Sequence, residues 1–361
     1  MDAIANILSG IMPSGLRMLA LFFGAGLIIL SFYRFRIHVI GGRDFIIAQT
    51  IGFALFVMAL NPHLSDYILL LFNWKQGEYT PVIAVLFLAC FLLFYLYIDN
   101  RKEGYRHEMQ INKLVHVIGV KEFFDTYGEF HFPPILVIIP AFREEEAIGR
   151  VLSRIPKKVH GVDVGVLVVV DGYGDPSAEV ARAHDVFVAL NIINRGYGSA
   201  LQLGFLLAEM GNAKYLVTMD ADGQHQPEEI EKLVLPIIDN SKDLIIGSRI
   251  MGFGAHISTL RSVGLRFFNL LLRVLVQTPT TDCSSGFRAF TTEAVIRLNL
   301  EEYQYQTAEL FIEASSKKLR IGEVPITITA RLSGTTKKGS DIQFGINFFK
   351  SMMKAWIRQK R

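Results

Sequence analysis

Apolar positions along this chain follow two regimes. From Leu16 to Tyr33, Phe45 to Leu60 and Pro81 to Ile98 they form long runs, the last reading "PVIAVLFLACFLLFYLYI". A membrane-crossing helix needs about 20 apolar residues, within a range of about 17 to 25. The first and third runs predict such spans, and the second, which carries Gln49 and Thr50, predicts a weaker one. A signal peptide or a buried core helix are the competing readings of the first and second runs. A signal peptide has basic residues ahead of its apolar stretch, whereas this chain opens "MDAIANILSG". From about Pro133 the pattern changes. Short β-branched runs ("ILVIIP", "VGVLVVVD", "VFVAL", "YLVTMDAD", "DLIIGSR") alternate with helix-like segments such as "EEEAIGRVLSRI" and "GSALQLGFLLAEM". Continuous apolar strands separated by helices predict an α/β fold, with a mostly parallel sheet covered on both faces.

Charge adds an orientation. Arg34, Arg36 and Arg43 lie between the first two runs, and Arg101, Lys102 and Arg106 follow the third, while the loop between the second and third holds one lysine. Basic residues stay on the cytoplasmic side, so three spans predict the N-terminus outside and everything after Asn100 inside, with Arg17 against the pattern. The expected organisation is an all-α membrane domain at 1–110, a linker at 111–131, an α/β domain at 132–338 and a closing helix at 339–361. The 361 residues are 51% hydrophobic and 20% charged, more apolar than an ordinary soluble chain. A net charge of +3 gives no case for nucleic acid as a partner. Two cysteines, Cys90 and Cys283, cannot build a disulfide framework and read as free thiols.

Candidate chemistry gathers where strands end, because ligands of such sheets bind beyond the carboxyl ends of the strands. The first strand ends in "PAFREEE", the second in Asp171, and the fourth in Asp220-Ala221-Asp222. Like charges crowded on one rim are unfavourable without a positive partner. A divalent cation holding phosphate oxygens explains them, since Mg²⁺ takes one or two carboxylates plus substrate phosphates. Asp-X-Asp alone is a weak signal that gains weight from its place and from Asp171. "NRGYGSAL" contains Gly-X-Gly after the third strand, which is consistent with a tight turn, and no Walker-type loop occurs. His225 reads as a third metal contact or as a structural or substrate-gating residue. Cys283 reads as packing.

Taken together, "VIIPAFREEEAI", "VVVDG", "NRGYGSAL", "TMDADGQHQPEEI", "IIGSR", "DCSSGFRAF" and "RIGEVPITITAR" with "SGTTKK" resemble the family-2 glycosyltransferases over Phe132 to Lys338. Within the family the chain is similar to the dolichol-phosphate mannosyltransferase and polyprenyl-phosphate hexose transferase branch. The resemblance implies a GT-A-like, Rossmann-like nucleotide-sugar domain. It implies Pro140, Phe142, Glu144, Asp171, Asp220, Ala221, Asp222 and Gln224 around a GDP- or UDP-linked sugar, and Mg²⁺ or Mn²⁺ on Asp220 and Asp222. It implies an acceptor bordered by Ser285, Gly286, Phe287 and Arg288, with Arg331 and Lys337 on its phosphate, and a family glutamate at Glu309. Asp220, Asp222, Arg331 and Lys337 would then carry the reaction. Arg143 stands where the family commonly has Asn, and "VVVDGYGDPS" is shorter than the usual motif, which leaves the alignment of Asp171 open by one residue. The absence of Gln-X-X-Arg-Trp argues against the processive polysaccharide synthases.

The implied activity is inverting, metal-dependent transfer of a hexose, of the GDP-mannose or UDP-glucose type, to a dolichyl or undecaprenyl phosphate at the cytoplasmic membrane face. A lipid phosphate is already an anion, so no strong general base is needed. Another lipid or glycan acceptor, or a non-catalytic scaffold that only binds nucleotide sugars, are the alternatives. Two segments could meet lipid: Ser258 to Thr278, and the C-terminal stretch. There Ile342, Ile346, Phe349, Met353 and Trp356 recur on one helical face and Lys350, Lys354, Arg358 and Arg361 on another. Such a basic amphipathic helix suits a membrane interface or docks on the protein's own core.

Overall fold

The computed structural model describes residues 15–36, 42–60, 80–252, 259–332 and 341–359, which fall into two compact units, Met1–Tyr105 and Arg106–Arg361. In the first unit the apolar runs form helices: α1 (Gly15–Arg36), α2 (Gly42–Leu60) and the start of α3 (Thr80–Tyr127). α1 and α2 cross where both lack a side chain. A Cβ on Gly24 would come within 3.0 Å of the Gly52 carbonyl, and one on Gly52 within 2.7 Å of Ile28. Gln49 Nε2 donates across the pair to the Ile28 carbonyl at 2.9 Å and to Ser31 Oγ at 3.0 Å. Among the described residues no helix is long and apolar enough to cross a membrane, so the expected three-span domain is not supported by them.

In the second unit, β1 (Ile135–Ala141), β3 (Val162–Asp171), β4 (Phe187–Asn191) and β5 (Tyr215–Thr218) run parallel in the order β4-β3-β1-β5. The short β2 (Lys158–Val159) pairs antiparallel with the start of β3. Every residue of β1 is buried, as expected of a strand covered on both faces. Alternate residues feed two separate cores, Leu136 and Ile138 into one and Ile135, Val137 and Ile139 into the other. The far half departs from the expected arrangement. β6 (Leu244–Ser248) and β8 (Ile321–Pro325) are parallel, but β7 (Arg288–Thr291) lies antiparallel between β5 and β6, so the sheet is mixed. β7 is only four residues long and follows a polar turn, so its sequence carries no strand periodicity.

The helices are α4 (Glu145–Leu152), α5 (Ser177–Arg182), α6 (Tyr197–Met210), α7 (Ile230–Ile238), α8 (Thr259–Val276), α9 (Thr292–Ile296), α10 (Gln306–Ser316) and α11 (Asp341–Gln359). The stretch expected as a linker at 111–131 is helical as far as Tyr127, where residues 111–127 form the last part of α3 and cover the β4 edge. Tyr127 Oη accepts from Val188 N at 2.9 Å, Phe123 packs among Phe130, Phe132 and Phe187, and a Cβ on Gly119 would sit 2.7 Å from the Leu190 carbonyl. Covering an edge in this way satisfies its orphan backbone groups. α11 docks on the domain through Phe348, Met352 and Ala355, and Trp356 Nε1 donates to the Leu275 carbonyl at 3.2 Å. Its Ile346, Phe349 and Ile357 remain exposed beside Lys350 and Lys354. The expected apolar stripe therefore divides, with Trp356 turned to the protein and Ile346 and Phe349 to the outside.

Candidate active site

A cavity of about 360 Å³ opens at the carboxyl ends of β1, β3 and β5. Pro140, Phe142 and Glu144 line it from the β1 end, Asp171 from β3, and Asp220, Ala221 and Asp222 from the turn after β5. Arg331 lines it too, so the strand ends do bring the three aspartates to one space. Gln224 is off the cavity wall. Its backbone N–H donates to Asp222 Oδ1 at 3.0 Å and so shapes the turn. Lys337 lies outside the described residues.

The carboxylates are unequal. Asp171 is almost fully buried and accepts from Asn191 Nδ2 (3.0 Å), Arg195 N (3.0 Å) and Gly196 N (2.6 Å). Burial raises its pKa, and those donors pull the other way. Asp222 accepts from Arg331 Nη2 at 2.8 Å, while Arg331 Nη1 donates to Glu144 Oε1 at 3.0 Å. Burial and then the neighbouring Asp220 raise the Asp222 pKa against the Gln224 N–H, Arg331 and His225. Asp220 Oδ1, by contrast, is buried with no well-formed hydrogen bond, and its nearest polar neighbour is the buried Tyr197 hydroxyl, whose pKa burial and this carboxylate raise. It lies against Gly286, where a Cβ would come 2.8 Å from both Asp220 Oδ1 and the Tyr197 hydroxyl.

A buried carboxylate oxygen without a well-formed hydrogen bond suits a cation, since an uncompensated buried acceptor is costly. Among the described residues no group of three or more His, Cys, Asp and Glu side chains is placed to hold a metal. Two carboxylates are nonetheless what Mg²⁺ requires when substrate phosphates complete its shell. Asp220 fits directly and Asp222 fits by exchange with Arg331. His225 takes the structural alternative: its Nδ1 accepts from Asp220 N at 3.2 Å and its ring stacks on Phe287.

The far wall differs from the expectation. Ser284, not Ser285, lines the cavity together with Gly286. Ser285 is buried, its Oγ accepting from Phe287 N at 3.4 Å. Phe287 is fully buried. Arg288 is 1% exposed and donates to the Ser285 and Cys283 carbonyls, each at 2.8 Å. Its Nε and Nη2 buttress the turn, and its Nη1 is buried without a hydrogen-bond partner. Arg249 clamps the same turn with a bidentate pair to Asp282 and a 2.6 Å bond to Ser284 Oγ. Cys283 is buried, its thiol pushed up to about 12 by that burial, and is inert packing as expected. Glu309 lies off the cavity, 0% exposed, accepting from Glu301 N and Glu302 N.

Asp175 escaped the sequence reading. It accepts from Arg143 N at 2.7 Å and caps Ser177 N at 2.9 Å, tying the β1 and β3 ends together. Arg143 itself has φ +52, a left-handed backbone that favours Asn or Gly. Gly196 and Gly198 have a reason as well: Cβ atoms there would meet the 302–304 backbone and Gln304 at 2.3 to 2.9 Å. Phe344 and Phe348 of α11, with Tyr305 and Thr307, give the cavity an apolar end that sequence order placed far from it.

The α/β domain resembles known proteins in sequence and fold. The glycosyl transferase family 2 model matches residues 136–298. A UDP-N-acetylglucosamine–dolichyl-phosphate N-acetylglucosaminyltransferase of Methanococcus voltae is 32% identical over 240 residues, 60% of this chain and 93% of the relative. A polyprenol monophosphomannose synthase of Mycolicibacterium smegmatis is 32% identical over 224 residues, 58% of this chain and 82% of the relative. The chain belongs to glycosyl transferase family 2 and is a glycosyltransferase. Its fold is shared with the glucosyl-3-phosphoglycerate synthase of Mycobacterium tuberculosis, solved with Mn²⁺ and UDP, at a TM-score of 0.50 and 18% identity, covering 63% of this chain and 80% of the other.

Proposed function

We propose that the enzyme transfers a hexosyl group from a GDP- or UDP-linked sugar to a polyprenyl phosphate, with inversion, at the cytoplasmic face of a membrane. One observation carries this: three aspartates and an arginine line one cavity, and Asp220 Oδ1 is buried there without a well-formed hydrogen bond. Relatives named for dolichyl-phosphate and polyprenol transfer support the acceptor class.

In this reading Phe142 and Asp171 face the nucleoside, and Asp220 and Asp222 hold Mg²⁺ or Mn²⁺. When bound, that cation supplies positive charge to the leaving diphosphate. Arg331 leaves Asp222 and Glu144 to meet phosphate oxygens, which suits a planar, bidentate donor. Lys337 joins it on the acceptor phosphate. An acceptor phosphate oxygen attacks the anomeric carbon as the bond to the diphosphate oxygen breaks. No proton has to move, and alignment is the main requirement.

The apolar end of the cavity admits the lipid. α8 presents Val263, Phe267, Leu270 and Val274 as one exposed stripe beside exposed Arg266 and Arg273. α11 presents Ile346, Phe349 and Ile357 beside Lys350 and Lys354, and the two helices touch through Phe268 and Phe348, with ring centroids 5.0 Å apart. Apolar stripes flanked by basic residues sit well at a lipid interface. The first unit serves as the membrane attachment, with Phe22, Phe23, Ile29 and Phe53 exposed around a crossing of small residues. The test is to offer membranes holding the full chain a panel of nucleotide sugars with Mg²⁺ or Mn²⁺, then examine the lipid extract. A labelled, acid-labile polyprenyl-phosphate sugar is expected. Label in a neutral lipid, or none with any donor, sinks the reading.

A further inference from the structure

A buried polar chain reaches the donor rim from a helix outside the family match. Ser199, on the first turn of α6, is 0% exposed and donates to Asn112 Oδ1 of α3 at 2.6 Å. His116 Nε2, one turn along α3, lies 3.0 Å from both the Ser199 carbonyl and its hydroxyl. A carbonyl can only accept, so Nε2 carries the proton. The single Ser199 proton is committed to Asn112, so Asn191 Nδ2, at 3.4 Å, donates to Ser199 Oγ as His116 does. Asn191 has a second Nδ2 hydrogen, and its 3.0 Å bond to Asp171 Oδ1 fixes the amide orientation, because a carboxylate only accepts. Asp171 in turn holds Arg195 N and Gly196 N, the backbone of the loop that lines the cavity. Asn112 Nδ2 donates to Gln202 Oε1 at 3.1 Å, and Gln202 Nε2 to the Leu300 carbonyl at 3.2 Å, so the opposite side of the chain is tied to the segment that crosses the glycine loop. Asn112, Ser199 and Asn191 are all buried, and a shielded network transmits orientation because each unmade bond inside it is costly.

We infer that Asn112 and His116 are positioning residues for the donor site, orienting Asp171 and its loop through Ser199 and Asn191. Both precede residue 136, where the family match begins, and both sit on the helix that starts in the N-terminal unit. The inference rests on the donor-site role proposed for Asp171. Burial also keeps His116 neutral, lowering its pKa.

The experiment uses the full chain in detergent or membranes and reads donor KM, acceptor KM and kcat. Asn112→Ala and His116→Leu are expected to raise donor KM about five- to tenfold, the effect of one lost buried hydrogen bond, with kcat and acceptor KM nearly unchanged. His116→Gln, which keeps an N–H donor, restores most of the loss. Tyr127→Phe, on the same helix as Asn112 and His116, is the control: it removes the hydroxyl that accepts from Val188 N of β4, and so lowers thermal stability while leaving donor KM alone. Wild-type donor KM in Asn112→Ala and His116→Leu overturns the inference, as does a Tyr127→Phe variant that behaves like them. Calorimetric binding of UDP and GDP with Mg²⁺ to the same proteins separates this from the proposed reaction. Weaker nucleotide binding by the variants sustains the positioning role even if no lipid is glycosylated, and equal affinities end it.

Discussion

Two clusters of acidic side chains lie in the same domain and do opposite work. Around Arg358 in the last turns of α11, Glu309 and Glu313 are both 0% exposed, and Glu301 joins them. Their oxygens are accounted for: Glu309 takes the Glu301 and Glu302 N–H groups and Arg358 Nη2, and Glu313 takes Asn299 N, Arg358 and Gln359. At the rim, Asp222 depends on an arginine that lines the cavity, and Asp220 Oδ1 is buried beside the Tyr197 hydroxyl without a well-formed hydrogen bond. A cluster whose carboxylate oxygens are all taken up holds structure, here three glutamates gathered around one arginine. One that leaves an acceptor open beside a cavity is set to hold a ligand.

The sharpest way to break this contrast is to substitute both clusters. Asp222→Ala, and Asp220→Asn with it, should cut transfer by at least about a hundred- to a thousandfold while the melting temperature stays near wild type. Arg358→Ala should do the reverse. It strands two buried carboxylates at a cost of about 3–5 kcal/mol, read by denaturant unfolding, while the fraction that stays folded still turns over. A rim mutant that unfolds, or an Arg358 mutant that folds normally and is dead, reverses the assignment.

A smaller effect separates the clusters by pH. Burial raises the Asp171 and Asp222 carboxyls above their ordinary 3.8. Both therefore bind protons more tightly folded than unfolded, so lowering the pH through that range does not cost stability on their account. It does remove the charge that the reaction needs. The acid limb of kcat/KM should begin above the usual aspartate range, without parallel unfolding. Glu309 is likewise raised by burial but lies off the cavity, so Glu309→Gln should leave that limb in place. Replacing Val263, Phe267, Leu270 and Val274 by serine should weaken binding to anionic liposomes several-fold and raise acceptor KM, with donor KM unchanged. Smallest of all, Arg143→Asn should stabilise the fold by about 1 kcal/mol, because Asn tolerates the left-handed backbone at φ +52. The gain is read as a rise in denaturation midpoint.

The donor half was legible because its signals are local. Apolar runs of β-branched residues fix β1, β3, β4 and β5, and a polar residue where such a run stops must lie on one rim of the sheet. Asp171, Asp220 and Asp222 follow from that alone. Asp175 was missed because its role is to join two loops that are distant in sequence. Arg288 reads from sequence as exposed because it stands in a family motif, whereas its Nε and Nη2 are taken up by a turn that only the folded chain closes and its Nη1 is buried without a hydrogen-bond partner. Ser284 and Ser285 differ by one position, and the turn geometry decides which faces the cavity. The linker at 111–131 had no apolar signature beyond its own helix, yet Gly119, Phe123 and Tyr127 close the β4 edge.

By itself the sequence determined an α/β domain, the acidic rim and the family, since hydrophobic periodicity and strand-end chemistry are properties of neighbouring residues. The tertiary structure decided the antiparallel β7, the apolar cavity end made by Phe344 and Phe348, and which acids are satisfied. Those depend on contacts between segments distant in sequence, from β7 with β5 and β6 to Arg331 with Glu144 and Asp222. Whether a buried carboxylate finds a partner there is settled by packing and not by its neighbours in the chain.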